Sequence, residues 1–157
     1  MIKMYKKILT FVLLLTISII ITGCGNKEKL SASSINNEMK KSGYVVEEGS
    51  NELLKINKAK NVYIFIDKKF TYQIEFYEFN DVKEAEKKFK IMKELYMTSK
   101  TDKSSEDSTS GGNNERYEIT TDDKYSVVSR IDNTLICFTA PLKYKSELIN
   151  TMDKIKY

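Results

Sequence analysis

Residues 70–97 read FTYQIEFYEFNDVKEAEKKFKIMKELYM, and the change of pattern within this segment indicates the fold class. The first ten residues alternate apolar and polar side chains with a period of two, which predicts a strand over 70–79. From residue 82 onward, apolar side chains recur every three or four positions, which predicts a helix over 82–97. Asp81 and Glu84 have the spacing of a capping box at the start of that helix. A strand that leads directly into an amphipathic helix indicates an α+β fold.

Shorter elements with the same two periodicities lie on both sides of this stretch. Two further helices are predicted, over 32–42 and 145–156. Five further strands are predicted, over 44–47, 62–66, 116–121, 125–131 and 134–140. Residues 48–60 fit either a short turn or an irregular strand. The order α-β-β-β-α-β-β-β-α suggests a pseudo-repeat of an α-β-β-β unit, folded as an antiparallel sheet with helices on one face.

Residues 98–114 interrupt these regular patterns. They are rich in Ser, Thr, Asp and Lys, contain no large apolar side chain, and end in the sequence GGNN. Ordered loops of this length are uncommon in compact domains. We therefore predict a flexible loop over 98–114 within a single α+β domain that covers residues 31–157.

The N-terminus has the three parts of a bacterial targeting leader. Three lysines within the first seven residues precede a mainly apolar run over 8–21, which the tetrapeptide Ile21-Thr22-Gly23-Cys24 closes. As a helix this run would be roughly 21 Å long, which is shorter than the roughly 30 Å hydrocarbon core of a bilayer. Its length is typical of a signal-peptide core and not of a membrane-spanning helix. The tetrapeptide resembles the lipobox of bacterial lipoproteins.

This resemblance implies a lipid anchor at Cys24. Residues 1–23 would be a signal peptide that is cleaved between Gly23 and Cys24, and the Cys24 Sγ would carry a diacylglyceryl group. Residues 24–30 would then form a lipidated tether, with acyl chains such as palmitate in the cell membrane and the domain on its extracytoplasmic face. Two acyl chains give stable anchoring, whereas one chain binds a membrane only marginally. The alternative is an uncleaved short anchor in which Cys24 has no role.

The formal charge of +4 comes largely from this leader. The leader holds three of the 26 basic side chains and none of the 22 acidic ones, so the remaining chain is close to +1. No stripe of basic residues with interleaved aromatic residues is present, and we therefore expect no nucleic-acid partner.

The residue types present exclude several kinds of chemistry. The chain has no histidine and two cysteines, so imidazole catalysis and zinc sites built from several His or Cys ligands are excluded. With Cys24 lipidated, Cys137 has no partner for an intramolecular disulfide. Cys137 lies in the apolar sequence LICF, which favours a structural role as a small hydrophobic residue. We expect no catalytic residues, no metal site and no cofactor.

One aromatic pattern is a candidate for binding. The strand over 62–66 has aliphatic side chains on one face and Tyr63 and Phe65 on the other, so neither face is polar. Together with Tyr77, these residues could form an exposed patch that binds a partner. The alternative is a central strand whose second face is covered by the tether, by residues 48–60 or by a helix.

A second resemblance concerns the domain itself. The sequences GYVV (43–46), YQIEFYEF (72–79) and RIDNTL (130–135) resemble small α+β domains of Gram-positive lipoproteins, a group with no known activity. The resemblance implies a fold and a location but no mechanism. We expect a non-enzymatic binding or interaction module for a protein or a small ligand. The alternatives are a cell-envelope enzyme that uses carboxylate or hydroxyl groups, and an accessory subunit of a membrane complex.

Overall fold

The computed structural model describes residues 25–157, which form an α+β fold with four α-helices and seven strands. The leader and Cys24 lie outside the described residues. The helices are α1 (Ala32–Lys41), α2 (Asn51–Asn57), α3 (Val82–Met97) and α4 (Lys145–Lys154). The strands are β1 (Val45–Glu48), β2 (Ala59–Ile66), β3 (Gln73–Phe79), β4 (Ser105–Gly111), β5 (Asn114–Thr120), β6 (Lys124–Ile131) and β7 (Thr134–Pro141).

The seven strands form one open sheet in the order β1-β2-β3-β7-β6-β5-β4, and every neighbouring pair is antiparallel. Strand direction therefore defines two ends of the sheet. One end, which we call the tether end because residues 27 and 29 contact it, carries the β4–β5 turn at 112–113 and the β6–β7 turn at 132–133. The far end carries the β2–β3 loop at 67–72, the start of β1 and the end of β7, where a short 3₁₀ turn (Leu142–Tyr144) leads into α4.

Helices cover both faces of the sheet, so the prediction of helices on one face is wrong. On one face, α1 and α4 pack against a cluster that includes Phe65 and Phe76. On the other face, α3 and α2 pack against a cluster that includes Val62 and Tyr77. The physical reason is visible in β2, whose neighbouring residues are apolar on both faces. A strand of that kind is stable only when both faces are covered.

The predicted order of elements is also not the one observed. A helix, α2, occupies the ambiguous segment between β1 and β2, and four strands instead of three follow α3. The Ser50 side chain accepts a hydrogen bond from the Leu53 amide and thereby caps α2, which the sequence pattern did not reveal. By contrast, α3 has the predicted bounds, and Asp81 caps it through the Glu84 amide at 3.0 Å.

The segment predicted as a flexible loop contains an edge strand. Strand β4 pairs with β5 from Ser105 opposite Thr120 to Gly111 opposite Asn114, and a two-residue turn joins them. The side chains of β4 are almost all exposed, and none of the four helices described here packs on this strand. A strand that is exposed on both faces needs no apolar alternation, and this explains why its periodicity gave no signal.

Candidate functional site

A surface pocket of about 170 Å³ lies at the far end of the sheet. Three separate parts of the chain form it: the α1–β1 connection, the β2–β3 loop and the start of α4. The lining residues are Ser42, Gly43, Tyr44, Asp67, Lys68, Lys69, Tyr144 and Glu147. We call this the far-end pocket.

Gly43 shapes one wall of the far-end pocket. Its φ of +91° reverses the chain after α1 and favours glycine. A Cβ atom at this position would lie 2.7 Å from the Lys68 Cε and 2.8 Å from its Nζ. The Lys68 side chain therefore lies directly across the glycine, in space that a side chain at residue 43 would occupy.

Asp67 fixes the β2–β3 loop that forms the second wall. Its carboxylate accepts hydrogen bonds from the backbone amides of Thr71 at 2.5 Å, Tyr72 at 2.8 Å and Lys69 at 3.0 Å. Burial alone would raise the pKa of this carboxyl, but the three amides and the Lys69 charge together hold the pKa below its ordinary value. The loop is thus organised around an ionised carboxylate.

The start of α4, with Glu147, forms the third wall of the pocket. A chain of hydroxyl groups joins this wall to the other two. The Tyr72 hydroxyl donates to the Glu147 Oε1 at 3.0 Å and lies 2.9 Å from the Tyr44 hydroxyl. The Tyr72 and Tyr144 rings are 5.1 Å apart between centroids. Burial raises the pKa of the Tyr72 phenol, and the hydrogen bonds with Tyr44 and Glu147 raise it further. Tyr72 therefore remains protonated and acts as a donor, not as a nucleophile.

The far-end pocket carries two positive and two negative side chains. Lys68 and Lys69 come from the β2–β3 loop, whereas Glu147 comes from α4, across the pocket. Asp67 is the second acid, and backbone amides occupy its oxygens. Within residues 25–157, neither lysine forms an ion pair with Glu147. The pocket is therefore neutral as a whole but positive on one wall and negative on the other.

The predicted partner-binding patch is not an exposed surface. Phe65 and Tyr77 are buried, and Tyr63 is half-buried. Tyr63 and Phe65 stack on each other on the face that α1 and α4 cover, with ring centroids 6.3 Å apart. Tyr77 lies on the opposite face, beneath α3. Phe65 and Tyr77 are core residues and Tyr63 packs against the core, because helices cover both faces of β2 and β3. The predicted lipid-attachment residues Gly23 and Cys24 lie outside the described residues.

Cys137 is buried beneath α3, as its apolar surroundings predicted. Burial raises the pKa of its thiol, which disfavours the reactive thiolate. Among residues 25–157, no group of three or more Asp, Glu or Cys side chains is arranged to hold a metal ion. The helices in this part of the chain are all too short or too polar to cross a bilayer.

Sequence reasoning missed the far-end pocket because its residues are far apart in the chain. In the sequence, Tyr44 and Tyr72 are 28 positions apart, and Tyr72 and Glu147 are 75 positions apart. No local motif joins them, and each tyrosine alone is an ordinary core or strand residue. The one local signal was Gly43, at the predicted end of α1.

Comparisons of the chain with models of protein families, with curated proteins and with solved structures found no match.

Proposed function

We propose that this protein is a lipid-anchored, extracytoplasmic interaction module that binds its target without catalysing a reaction. The lipobox-like tetrapeptide ending at Cys24 carries this proposal. It accounts for a leader, an anchor and a location with one motif. The far-end pocket, which presents hydrogen-bond donors and acceptors to a ligand, supports a binding role.

The residues directly after Cys24 contact the tether end of the sheet. The Lys27 amide donates to the Asn113 Oδ1 at 2.8 Å, and the Asn113 Nδ2 donates back to the Lys27 carbonyl at 2.9 Å. The Lys29 ammonium also donates to the Asn133 side chain in the β6–β7 turn. Two turns of the sheet therefore hold the predicted tether against the body of the domain.

This contact supports a defined orientation at the membrane. A lipid on Cys24 would be only one residue from Gly25, whose carbonyl accepts from the Asn114 side chain at 3.4 Å. The tether end would then face the bilayer. The central strands are about 7 residues long, so the far end lies roughly 23 Å from the tether end. The far end would face outward. The far-end pocket would be open to the extracytoplasmic space.

Replacing Cys24 with alanine should abolish lipid attachment. Cells that express the wild-type chain and are fed labelled palmitate should yield a labelled protein in the membrane fraction, because the thiol is the acceptor of the diacylglyceryl group. The Cys24→Ala chain should carry no label. Label incorporation and the mass of the processed protein measure this outcome.

The second cysteine provides the matched control. Cys137→Ala should keep its label, since Cys137 is buried and its thiol is held protonated. A Cys24→Ala chain that retains the label, or a wild-type chain without it, would contradict the lipoprotein proposal.

Replacing Asn113 with alanine should release the tether without unfolding the domain. The substitution removes both hydrogen bonds to Lys27. Amide hydrogen exchange at Lys27 should accelerate roughly fivefold, the factor that corresponds to about 1 kcal/mol for one hydrogen bond. Asn80→Ala, at an exposed position of the same end, is the control and should leave the rate unchanged. Equal exchange rates in wild type and Asn113→Ala would show that the tether is not held there.

A further inference from the structure

We propose that the far-end pocket binds a small zwitterion, a molecule with an ammonium and a carboxylate group a few atoms apart, as in a free amino acid. The inference goes beyond the lipid-anchored module proposed above and does not depend on lipidation of Cys24. The distribution of charge, the size of the pocket and the rigidity of its walls carry it.

The charges of the pocket match those of a zwitterion. Lys68 and Lys69 on the β2–β3 loop can hold a carboxylate, while Glu147 on α4 can accept from an ammonium. A simple anion would meet the Glu147 charge, and a simple cation would meet two lysines. A ligand with both charges satisfies both walls at once, because each of its groups lies beside the opposite charge.

Glu147 has capacity left for a second donor. One of its oxygens accepts from the Tyr72 hydroxyl at 3.0 Å. A carboxylate has two oxygens and about four acceptor positions. An ammonium group can therefore bind Glu147 without displacing Tyr72.

The size of the pocket limits the ligand to a few heavy atoms. Its volume of about 170 Å³ is well below the roughly 300–1,000 Å³ of sites for drug-sized ligands. A glycine- or alanine-sized molecule is the appropriate scale. A longer peptide in an extended form separates its terminal charges by up to about 3.3–3.6 Å more for each added residue, so it would place only one of them in the pocket.

The backbone of the β2–β3 loop and the Glu147 carboxylate are held in place before any ligand binds. The Asp67 carboxylate fixes the lysine-bearing loop through three backbone amides, and the Tyr72 hydroxyl fixes Glu147. Gly43 keeps space for the Lys68 side chain, as a Cβ atom there would clash with it. A preformed site loses less conformational entropy on binding than a mobile one.

The test is a titration of the full-length protein in detergent micelles with glycine, monitored by amide chemical shifts in two-dimensional NMR. Glycine should shift the amide resonances of Gly43 and Lys69. Acetate and methylammonium each carry only one of the two charges. Each should bind with an affinity at least roughly tenfold lower than that of glycine, since each loses one charge-assisted hydrogen bond. Triglycine, whose charges are too far apart, and inorganic phosphate should cause no comparable shifts.

Two variants locate the site, and one provides a control. Glu147→Gln and Lys68→Met should each weaken glycine binding by roughly tenfold, the loss expected for one charged partner. Lys103→Met, at an exposed position outside the pocket, should bind glycine as the wild type does. If Glu147→Gln disturbs folding through Tyr72, Lys68→Met still tests the site. The proposal is overturned if glycine causes no shift, if acetate or phosphate binds as tightly as glycine, or if both pocket variants bind glycine normally.

Discussion

Replacing Phe65 with alanine should lower the free energy of unfolding by about 3–5 kcal/mol, the range for large-to-small substitutions of buried aromatic residues. Phe65 is fully buried in the cluster beneath α1 and α4. Its removal leaves a cavity and also removes the ring that stacks on Tyr63 at 6.3 Å. Chemical denaturation monitored by circular dichroism measures the change.

Phe70 is the matched control, because it is the same residue type in a different environment. It lies in the β2–β3 loop with 75% of its surface exposed. Phe70→Ala should change the free energy of unfolding by no more than about 0.5 kcal/mol, as is usual for surface positions. Equal losses in the two variants would contradict the placement of Phe65 in the core and would reopen the exposed-patch interpretation of β2.

Replacing Asp67 with alanine should lower the free energy of unfolding by about 2–3 kcal/mol, the scale of hydrogen bonds to a charged group. The substitution removes the acceptor for the amides of Lys69, Thr71 and Tyr72. The β2–β3 loop would lose its organising contact, and the lysine wall of the far-end pocket would lose its fixed position. Urea denaturation at neutral pH measures this loss, and exposed Asp102→Ala should show almost none.

Asp67 also predicts a pH dependence. The folded protein holds the pKa of this carboxyl below its ordinary value of 3.8, so folding favours the charged form. Its contribution is fully present above the ordinary pKa and is lost as the pH falls through the lower pKa of the folded state. The stability difference between wild type and Asp67→Ala should therefore shrink in strong acid. A difference that stays constant from neutral pH to acid would show that the carboxylate charge does not stabilise the loop.

The sequence predicted those elements whose own residues are strongly apolar on at least one face. Helix α3 has the predicted bounds, and the ends of strands β3, β6 and β7 differ from the predicted ends by a few residues at most. Strand β4 gave no such signal, since its side chains are exposed and its pairing with β5 alone determines its conformation. Helix α2 was ambiguous because it is only seven residues long and buries no residue completely.

The aromatic patch on β2 and the far-end pocket both depend on how distant parts of the chain pack together. The pattern of β2 showed correctly that both faces are apolar, but it could not distinguish an exposed patch from a strand covered twice. That choice depends on where α1, α3 and α4 pack, which is a property of the whole chain. Likewise, Tyr44, Tyr72 and Glu147 acquire a common role only when three distant segments meet.

Strand β4 has a consequence for the behaviour of many copies at one surface. An open sheet exposes unpaired backbone groups at its edges, and these can pair with another molecule to begin aggregation. At one edge, β1 is only four residues long. At the other, β4 has the sequence SEDSTSG, with two acidic and no large apolar side chains. Charged and polar side chains on an edge strand disfavour pairing with a second molecule, so this edge opposes self-association where the proposed lipid anchors would crowd the molecules together.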